Sequence, residues 1–306
     1  MTPRTLTLTV SPEQAGRTVK SLLRRNLGVS DGMLARLRQR PDGILCNGSP
    51  IRTIDRVQAG DTLAVQVGDT RQGFRFEPVD VPLHILFEDD DLLVLDKPAG
   101  MAVHGRSDHG RSDHGEPTVA NALAYHLGAD AVFHPVNRLD RGTSGVMAVA
   151  KSGYVHDRLR CALHTAAFQR TYLAAAEGAV TPPDGVIDLP VARETPGGIR
   201  RVVREDGAEA ATEYRTLCVE NGRTLLRVVP RTGRTHQIRV HFAAISHPLV
   251  GDWLYGTESA DIARPALHSH ALAFTHPVTG ARLRFTAPVP DDLRGLFSQF
   301  AMQEDL

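Results

Sequence analysis

HPVNRLDRGTSGVMAVAK, residues 134–151, sets one carboxylate, Asp140, between Arg138 and Arg141 on a turn of small residues, Gly142, Thr143, Ser144 and Gly145. The apolar run from Val146 to Ala150 that follows predicts a buried strand. A carboxylate flanked by guanidinium groups on a Gly/Ser/Thr-rich turn at a strand start fits an active-site turn. A turn aspartate in a structural salt bridge would show the same local pattern. The rest of the chain has to separate the two.

Further blocks follow in order. Residues 169–174 read QRTYLA, and residues 231–241 read RTGRTHQIRVH. A closing segment runs from His247, Pro248 and Leu249 through Gly251 and Asp252 to Tyr255 and Gly256, then Leu267, His268, His276 and Pro277. Upstream, residues 86–100 read LFEDDDLLVLDKPAG, the pattern of a hairpin. With Arg138-Leu139-Asp140 and Thr143-Ser144-Gly145, these blocks resemble the RluA-type RNA pseudouridine synthases over about residues 81–290. One position departs from the pattern: the family usually has histidine where this chain has Asn137.

The resemblance implies an α+β fold: a mixed, largely antiparallel sheet with flanking helices, preceded by a small N-terminal α/β RNA-binding domain. It implies that Asp140 is the nucleophile and that Arg239 supplies its ion pair from the helix after the arginine-rich block. Tyr172 would lie against the uracil, stacking on it or helping a proton leave carbon 5. Arg138 would sit near the flipped nucleotide, and Ile238 and Leu254 would line the pocket. Converting uridine to pseudouridine breaks the glycosidic bond, turns the uracil and rejoins it through carbon 5. That is an isomerisation without redox change, so no cofactor and no metal are expected. A nucleophile, a dry pocket and a way to extract the nucleotide are what it needs. No Gly-x-Gly-x-x-Gly or P-loop pattern is present.

Composition bounds the answer without revealing it. A hydrophobic content of 42% suits a folded soluble chain, and no apolar stretch approaches a membrane span. The first residues alternate like a strand and lack the apolar core of a signal peptide, which predicts a cytoplasmic protein. Cys46, Cys161 and Cys218 are far apart and odd in number, against a disulfide framework. Net charge is zero, yet residues 1–75 carry 12 Arg and Lys against 6 Asp and Glu, a balance that suits a polyanionic partner. Only Lys20, Lys97 and Lys151 are lysines, so an arginine-biased genome is the plainer reading of that preference.

Residues 12–68 read as a small separate unit. Val19, Leu22, Leu23 and Leu27 have helical spacing, and Ser30 is placed to cap a second helix carrying Met33, Leu34 and Leu37. Short strands over 43–48 and 63–67 flank an Asn47-Gly48 turn. The order resembles the alpha-L RNA-binding motif, with Arg36, Arg38 and Arg40 as RNA contacts or as a solvated helix face. Residues 1–70 are thus expected to bind RNA, 71–80 to form a linker, and 81–306 to carry catalysis. Helical patterns are predicted at 118–126, 154–163 and 236–245. Residues 105–114 repeat Gly-Arg-Ser-Asp-His in tandem, read as a tolerated loop insertion in preference to a metal site. His241, His247, His268, His270 and His276 are read as hydrogen-bonded structural residues.

Two rival functions remain open. A hydrolytic RNA glycosidase would want a second carboxylate about 5 to 10 Å from Asp140, and Asp252 is the nearest motif candidate. A noncatalytic RNA-binding or ribosome-assembly factor would use the basic unit alone. The expected partner is RNA, ribosomal before transfer RNA, with no membrane and a monomeric protein.

Overall fold

The computed structural model describes residues 4–67, 76–105, 112, 115–128, 132–163 and 165–298. The N-terminal part holds β1 (Arg4–Thr9), α1 (Val19–Arg25), α2 (Asp31–Leu37), β2 (Ile44–Cys46), β3 (Ser49–Pro50) and β4 (Thr62–Val67). Its sheet runs β1-β4-β2-β3 and is antiparallel throughout. Both helices start at the expected kind of cap: Thr18 Oγ1 accepts from Ser21 N, and Ser30 Oγ accepts from Met33 N. α2 ends at Leu37, so Arg40 lies past the helix, contrary to its expected place on the helix surface.

β5 (His84–Glu88) and β6 (Leu92–Lys97) follow, then α3 (Val119–Leu127), β7 (His134–Pro135), β8 (Ser144–Ala150) and α4 (Gly153–Ala162). Next come β9 (Phe168–Glu177), β10 (Asp184–Asp188), the hairpin β11 (Val191–Arg193) and β12 (Arg201–Val203), β13 (Ala211–Glu220) and β14 (Arg223–Pro230). The chain closes with α5 (Gln237–Ala244), β15 (Leu267–Thr275), β16 (Arg282–Thr286) and α6 (Asp291–Arg294). The large sheet runs β10-β13-β14-β9-β15-β8-β6-β5, with β16 on β15 and β7 on β8. Only β8 with β15 is a parallel pair among its described strands. This is the α+β, largely antiparallel architecture that the sequence implied.

β8 is buried on both faces, which explains why its sequence is continuously apolar instead of alternating. Val146, Ala148 and Ala150 join the core on one side of the sheet. Met147 and Val149 join the other, beside α3 and α5. Gly145 lets β8 close on β15. Its φ is 109°, and a Cβ there would stand 2.2 Å from the Ser269 carbonyl oxygen. Gly145→Ala is therefore expected to destabilise the protein by about 3 kcal/mol or more, the sum of backbone strain and overpacking. Urea denaturation measures it, and a loss below about 0.5 kcal/mol, the usual scatter of neutral substitutions, would contradict the close approach.

The N-terminal part has its own sheet but shares its core. Leu22, Leu23, Met33, Leu34 and Leu37 belong to the same apolar cluster as Tyr154, Val155 and Leu159 of α4 and Phe274 of β15. Polar ties reinforce the junction: Ser30 Oγ donates to Asp157 (2.6 Å), and Tyr154 Oη donates to the Leu27 carbonyl (2.7 Å). Arg4 pairs with Asp91 in a cluster that also contains Asp89 and His276. His276 Nδ1 accepts from Val278 N and Thr279 N, which places its proton on Nε2, facing Asp89 at 3.0 Å. The helices of residues 12–68 thus pack against α4 and β15, a junction the sequence could not show because local periodicity carries no record of which faces meet. The three cysteines are free, and no described helix is long and apolar enough to cross a membrane. Most of the tandem repeat at 105–114 and residues 71–75 of the expected linker fall outside the described residues.

Candidate active site

The site lies where the parallel pair joins the two halves of the sheet. Asp140 occupies the turn immediately before β8, and Tyr172 on β9 sits in register with Ser269 on β15, itself paired with Gly145. A cavity of about 430 Å³ opens here, lined by Asp140, Arg138, Tyr172, His236, Ile238 and Arg239 among others. That volume falls in the range of small-ligand pockets.

Four side chains fix the Asp140 turn from behind. Lys97, fully buried at the end of β6, donates to the carbonyls of Pro98 (2.8 Å), Met101 (2.8 Å) and Arg141 (3.3 Å). Burial pushes its ammonium down to about 7, against the pull of Asp140. Arg141 turns away from Asp140, its Nε donating to the Gly100 carbonyl and its Nη2 to Glu116. Arg264, locked bidentately to Asp292, donates to the Gly142 carbonyl at 3.2 Å. Asn137 is buried, with its amide bonded to β8 at Val146 O and Ala148 N. Its amide therefore holds this turn to the sheet, which gives the residue at the departing position a structural use.

The cation beside Asp140 comes from neither of its sequence neighbours. Arg239 Nη1 lies 3.6 Å from Asp140 Oδ2, while Arg138 is exposed at the cavity rim. Nε and Nη2 of Arg239 each donate at 2.7 Å to Asp252, a carboxylate with no exposed surface. Burial alone would lower the guanidinium's pKa, but the hydrogen bond and charge of Asp252, then Asp140, hold it raised. One fork of Arg239 is thus fixed structurally and the remaining nitrogen serves the site. Its ring neighbour is Tyr255, whose face lies 5.0 Å from the guanidinium carbon. α5 starts at Gln237, so Thr235 precedes the helix and does not share its face with Arg239.

Tyr172 is buried, opposite Ser269 on the neighbouring strand. Burial raises its pKa, with Arg170 and Ser269 opposing, so the phenol stays protonated at neutral pH. Ile238 lines the cavity. Leu254 is absent from the lining; its N–H donates to Asp252. Arg170, also buried in the wall, donates to the carbonyls of Pro230 and Thr232 and so holds the arginine-rich loop against β9. The outlying histidines are bonded: His241 to Thr212 and Leu189, His247 to Glu177, His268 to Ser144. Arg36 and Arg38 are exposed, whereas Arg40 is half-buried and donates to Gln66 at 2.7 Å.

Sequence reading missed the anchoring roles of Lys97, Arg264 and Arg170, and gave His236 and Tyr255 no role. Each lies inside or beside a quoted block, but an anchoring role depends on partners far away in the chain.

Comparison with known proteins gives the same answer as the geometry. Residues 91–244, about half the chain, match the family described as RNA pseudouridylate synthase. The chain is 35% identical over 274 residues to the uncharacterized RNA pseudouridine synthase YjbO of Bacillus subtilis (strain 168), across 88% of this chain and 95% of that one. It is 39% identical over 278 residues to the ribosomal large subunit pseudouridine synthase D of Xanthomonas campestris, across 85% and 81%. In fold it resembles human RNA pseudouridylate synthase domain containing 1, with a TM-score of 0.53 at 22% identity, covering 76% of this chain and 100% of that one. The chain therefore belongs to the RluA-type family of RNA pseudouridine synthases, isomerases that act on uridine in RNA.

Proposed function

We propose that Asp140 is the nucleophile of this RNA pseudouridine synthase and that large-subunit ribosomal RNA carries its target uridine. The observation that supports Asp140 most is its setting: it is the one acidic residue among the described residues lining the cavity, which include Arg138, Arg141, Arg170, Arg234 and Arg239. A flipped uridine entering past these arginines would meet a carboxylate already paired with Arg239 and flanked by Tyr172. Attack at the anomeric carbon breaks the glycosidic bond and displaces the uracil, which the cavity retains while it turns, whereas attack at uracil carbon 6 ties the base to Asp140 before that bond breaks. Arg138, exposed at the rim, would contact phosphate or fill the gap left by the base, and Ile238 would form part of the wall.

The glycosidase reading is disfavoured on the same ground. Asp252, the motif candidate for a second acid, has both its oxygens committed to Arg239. A purely RNA-binding role is disfavoured by Asp140, Tyr172 and Arg239 converging on one cavity.

Tyr172→Phe tests the hydroxyl. If that group assists the departure of the carbon-5 proton, RNA affinity should stay within about twofold while single-turnover conversion slows by about 100-fold. Weaker binding with unchanged single-turnover chemistry would reduce Tyr172 to a stacking platform.

The proposed division of labour gives 1–70 to RNA binding, 71–80 to a linker and 81–306 to catalysis. Arg38 and Arg40 line a groove of about 480 Å³ with Leu37, Ile44 and Ile51, a surface with both charge and apolar floor. Because the core is shared, point substitutions test this better than truncation. The triple variant Arg36→Gln, Arg38→Gln, Arg40→Gln should weaken RNA binding and flatten its salt dependence by about two to three units of log–log slope. Turnover at saturating RNA should not change. An unaltered salt slope would remove these arginines from the RNA contact.

The ribosomal target is supported by relatives named for the large subunit, with transfer RNA as the second choice. The protein is expected to act as a cytoplasmic monomer without metal or cofactor. Mapping pseudouridines in total RNA from cells with and without the gene decides the target: loss of a large-subunit site supports the proposal, and loss confined to transfer RNA overturns it.

A further inference from the structure

His236 occupies the cavity on terms its helix does not explain. It is the N-cap of α5, held in the left-handed region at φ 58°, and its side chain makes no capping bond. Gln237 secures the loop before the helix, its Oε1 accepting from Arg234 N (3.0 Å) and Thr232 Oγ1 (2.7 Å). A bulky residue stays at positive φ only where its surroundings over-determine it, and such residues cluster at functional sites.

The surroundings specify the ring. Nδ1 lies 2.8 Å from Tyr255 Oη. That hydroxyl accepts from the Arg201 N–H at 2.8 Å, which leaves its single hydrogen free to be donated to Nδ1. An accepting Nδ1 leaves the proton on Nε2. At the other end, Nε2 lies 4.0 Å from Asp140 Oδ2, the same oxygen that faces Arg239 Nη1 at 3.6 Å. A bare nitrogen lone pair facing a carboxylate oxygen would be repelled, whereas an N–H is attracted. Both ends of the ring select one tautomer. Burial, aided by Arg239 and Arg201 and opposed by Asp140, lowers the pKa of the imidazole and keeps it neutral.

We propose that His236 is a positioning residue: as the Nε2–H tautomer set by Tyr255, it joins Arg239 in holding Asp140 Oδ2, so that Oδ1 is the oxygen left to attack. This rests on Asp140 being the nucleophile. Contacts of this kind are often long before substrate binds and tighten with it. His236 keeps its proton throughout, so no co-reactant is needed. Tyr255 serves the site twice, covering the Arg239 guanidinium with its face and fixing the His236 tautomer with its hydroxyl. Its hydroxyl is held in turn by the backbone of β12, which ties the β11–β12 hairpin to the nucleophile.

The first test needs no variant. Imidazole ¹⁵N shifts of the wild-type enzyme at neutral pH should report His236 protonated at Nε2, and an Nδ1–H signal would overturn the proposal. The second is kinetic. His236→Asn tolerates the left-handed backbone and places its amide where Nδ1 was, but does not reach Asp140. Its single-turnover rate should fall by about 10- to 100-fold, the usual worth of a hydrogen bond to a charged group, with unchanged RNA affinity and melting temperature. His236→Gln, whose amide reaches the place of Nε2, should recover to within about tenfold of wild type by the same reasoning. Tyr255→Phe should release the tautomer in the ¹⁵N spectrum. A His236→Asn enzyme as fast as wild type, beside an inactive Asp140→Asn, would overturn this inference and leave the nucleophile standing. An active Asp140→Asn would remove the nucleophile itself.

Discussion

Arg239→Leu is expected to lose about 3 to 5 kcal/mol of stability and nearly all turnover, because it strands the fully buried Asp252 carboxylate without a cation. The same change removes the positive charge at 3.6 Å from Asp140, so stability and chemistry fail together. Arg239→Lys separates the two. A single ammonium cannot reproduce the bidentate grip on Asp252 while also facing Asp140. That variant should fold with a smaller loss of stability yet turn over far more slowly than wild type. Thermal and urea unfolding beside single-turnover assays would check both. A stable, active Arg239→Leu enzyme would mean that Asp252 and Asp140 find charge compensation elsewhere.

Asp140→Asn should leave the fold and RNA affinity close to wild type and abolish pseudouridine formation. The amide keeps the carboxylate's shape and much of its hydrogen bonding but lacks the nucleophilic charge. Asp140 is partly exposed, so its replacement should change the melting temperature little. The double variant Asp140→Asn, Arg239→Leu should be no less active than Asp140→Asn alone, since residues acting as one unit give non-additive losses. A further drop in residual activity would show that Arg239 acts on the reaction by a route independent of Asp140.

Much of this was legible in the sequence, for reasons that can be named. The apolar run before Lys151 gave a strand because burial on both faces requires continuous hydrophobicity, and β8 is buried throughout. Ser30 marked a helix start because a hydroxyl can satisfy a free N–H group there, and its Oγ accepts from Met33 N. Asp140, Tyr172, Arg239 and Ile238 were named from ordered blocks and are found lining one cavity. The charge pairing was not legible in the local sequence around Asp140, and only the family resemblance named Arg239 for it. Arg138 and Arg141 are next to Asp140 in the chain, but Arg141 is drawn off by Gly100 and Glu116, and the counter-charge comes from α5. Asp252 looked like a spare acid until its two hydrogen bonds to Arg239 fixed it as a support. The junction of the N-terminal part with α4 was equally hidden, because Tyr154 and Asp157 find their partners at Leu27 and Ser30, far earlier in the chain. Local pattern reports which face of an element is buried and not what buries it.

Nucleoside analysis of RNA incubated with the purified protein tests the central claim most directly. Large-subunit ribosomal RNA, treated with wild-type protein or with Asp140→Asn, would be digested and its nucleosides separated, with free uracil measured in the same reaction. Wild-type protein should yield pseudouridine, Asp140→Asn should yield none, and neither should release free uracil. Pseudouridine made by Asp140→Asn, or uracil released by the wild type without pseudouridine, would contradict that claim.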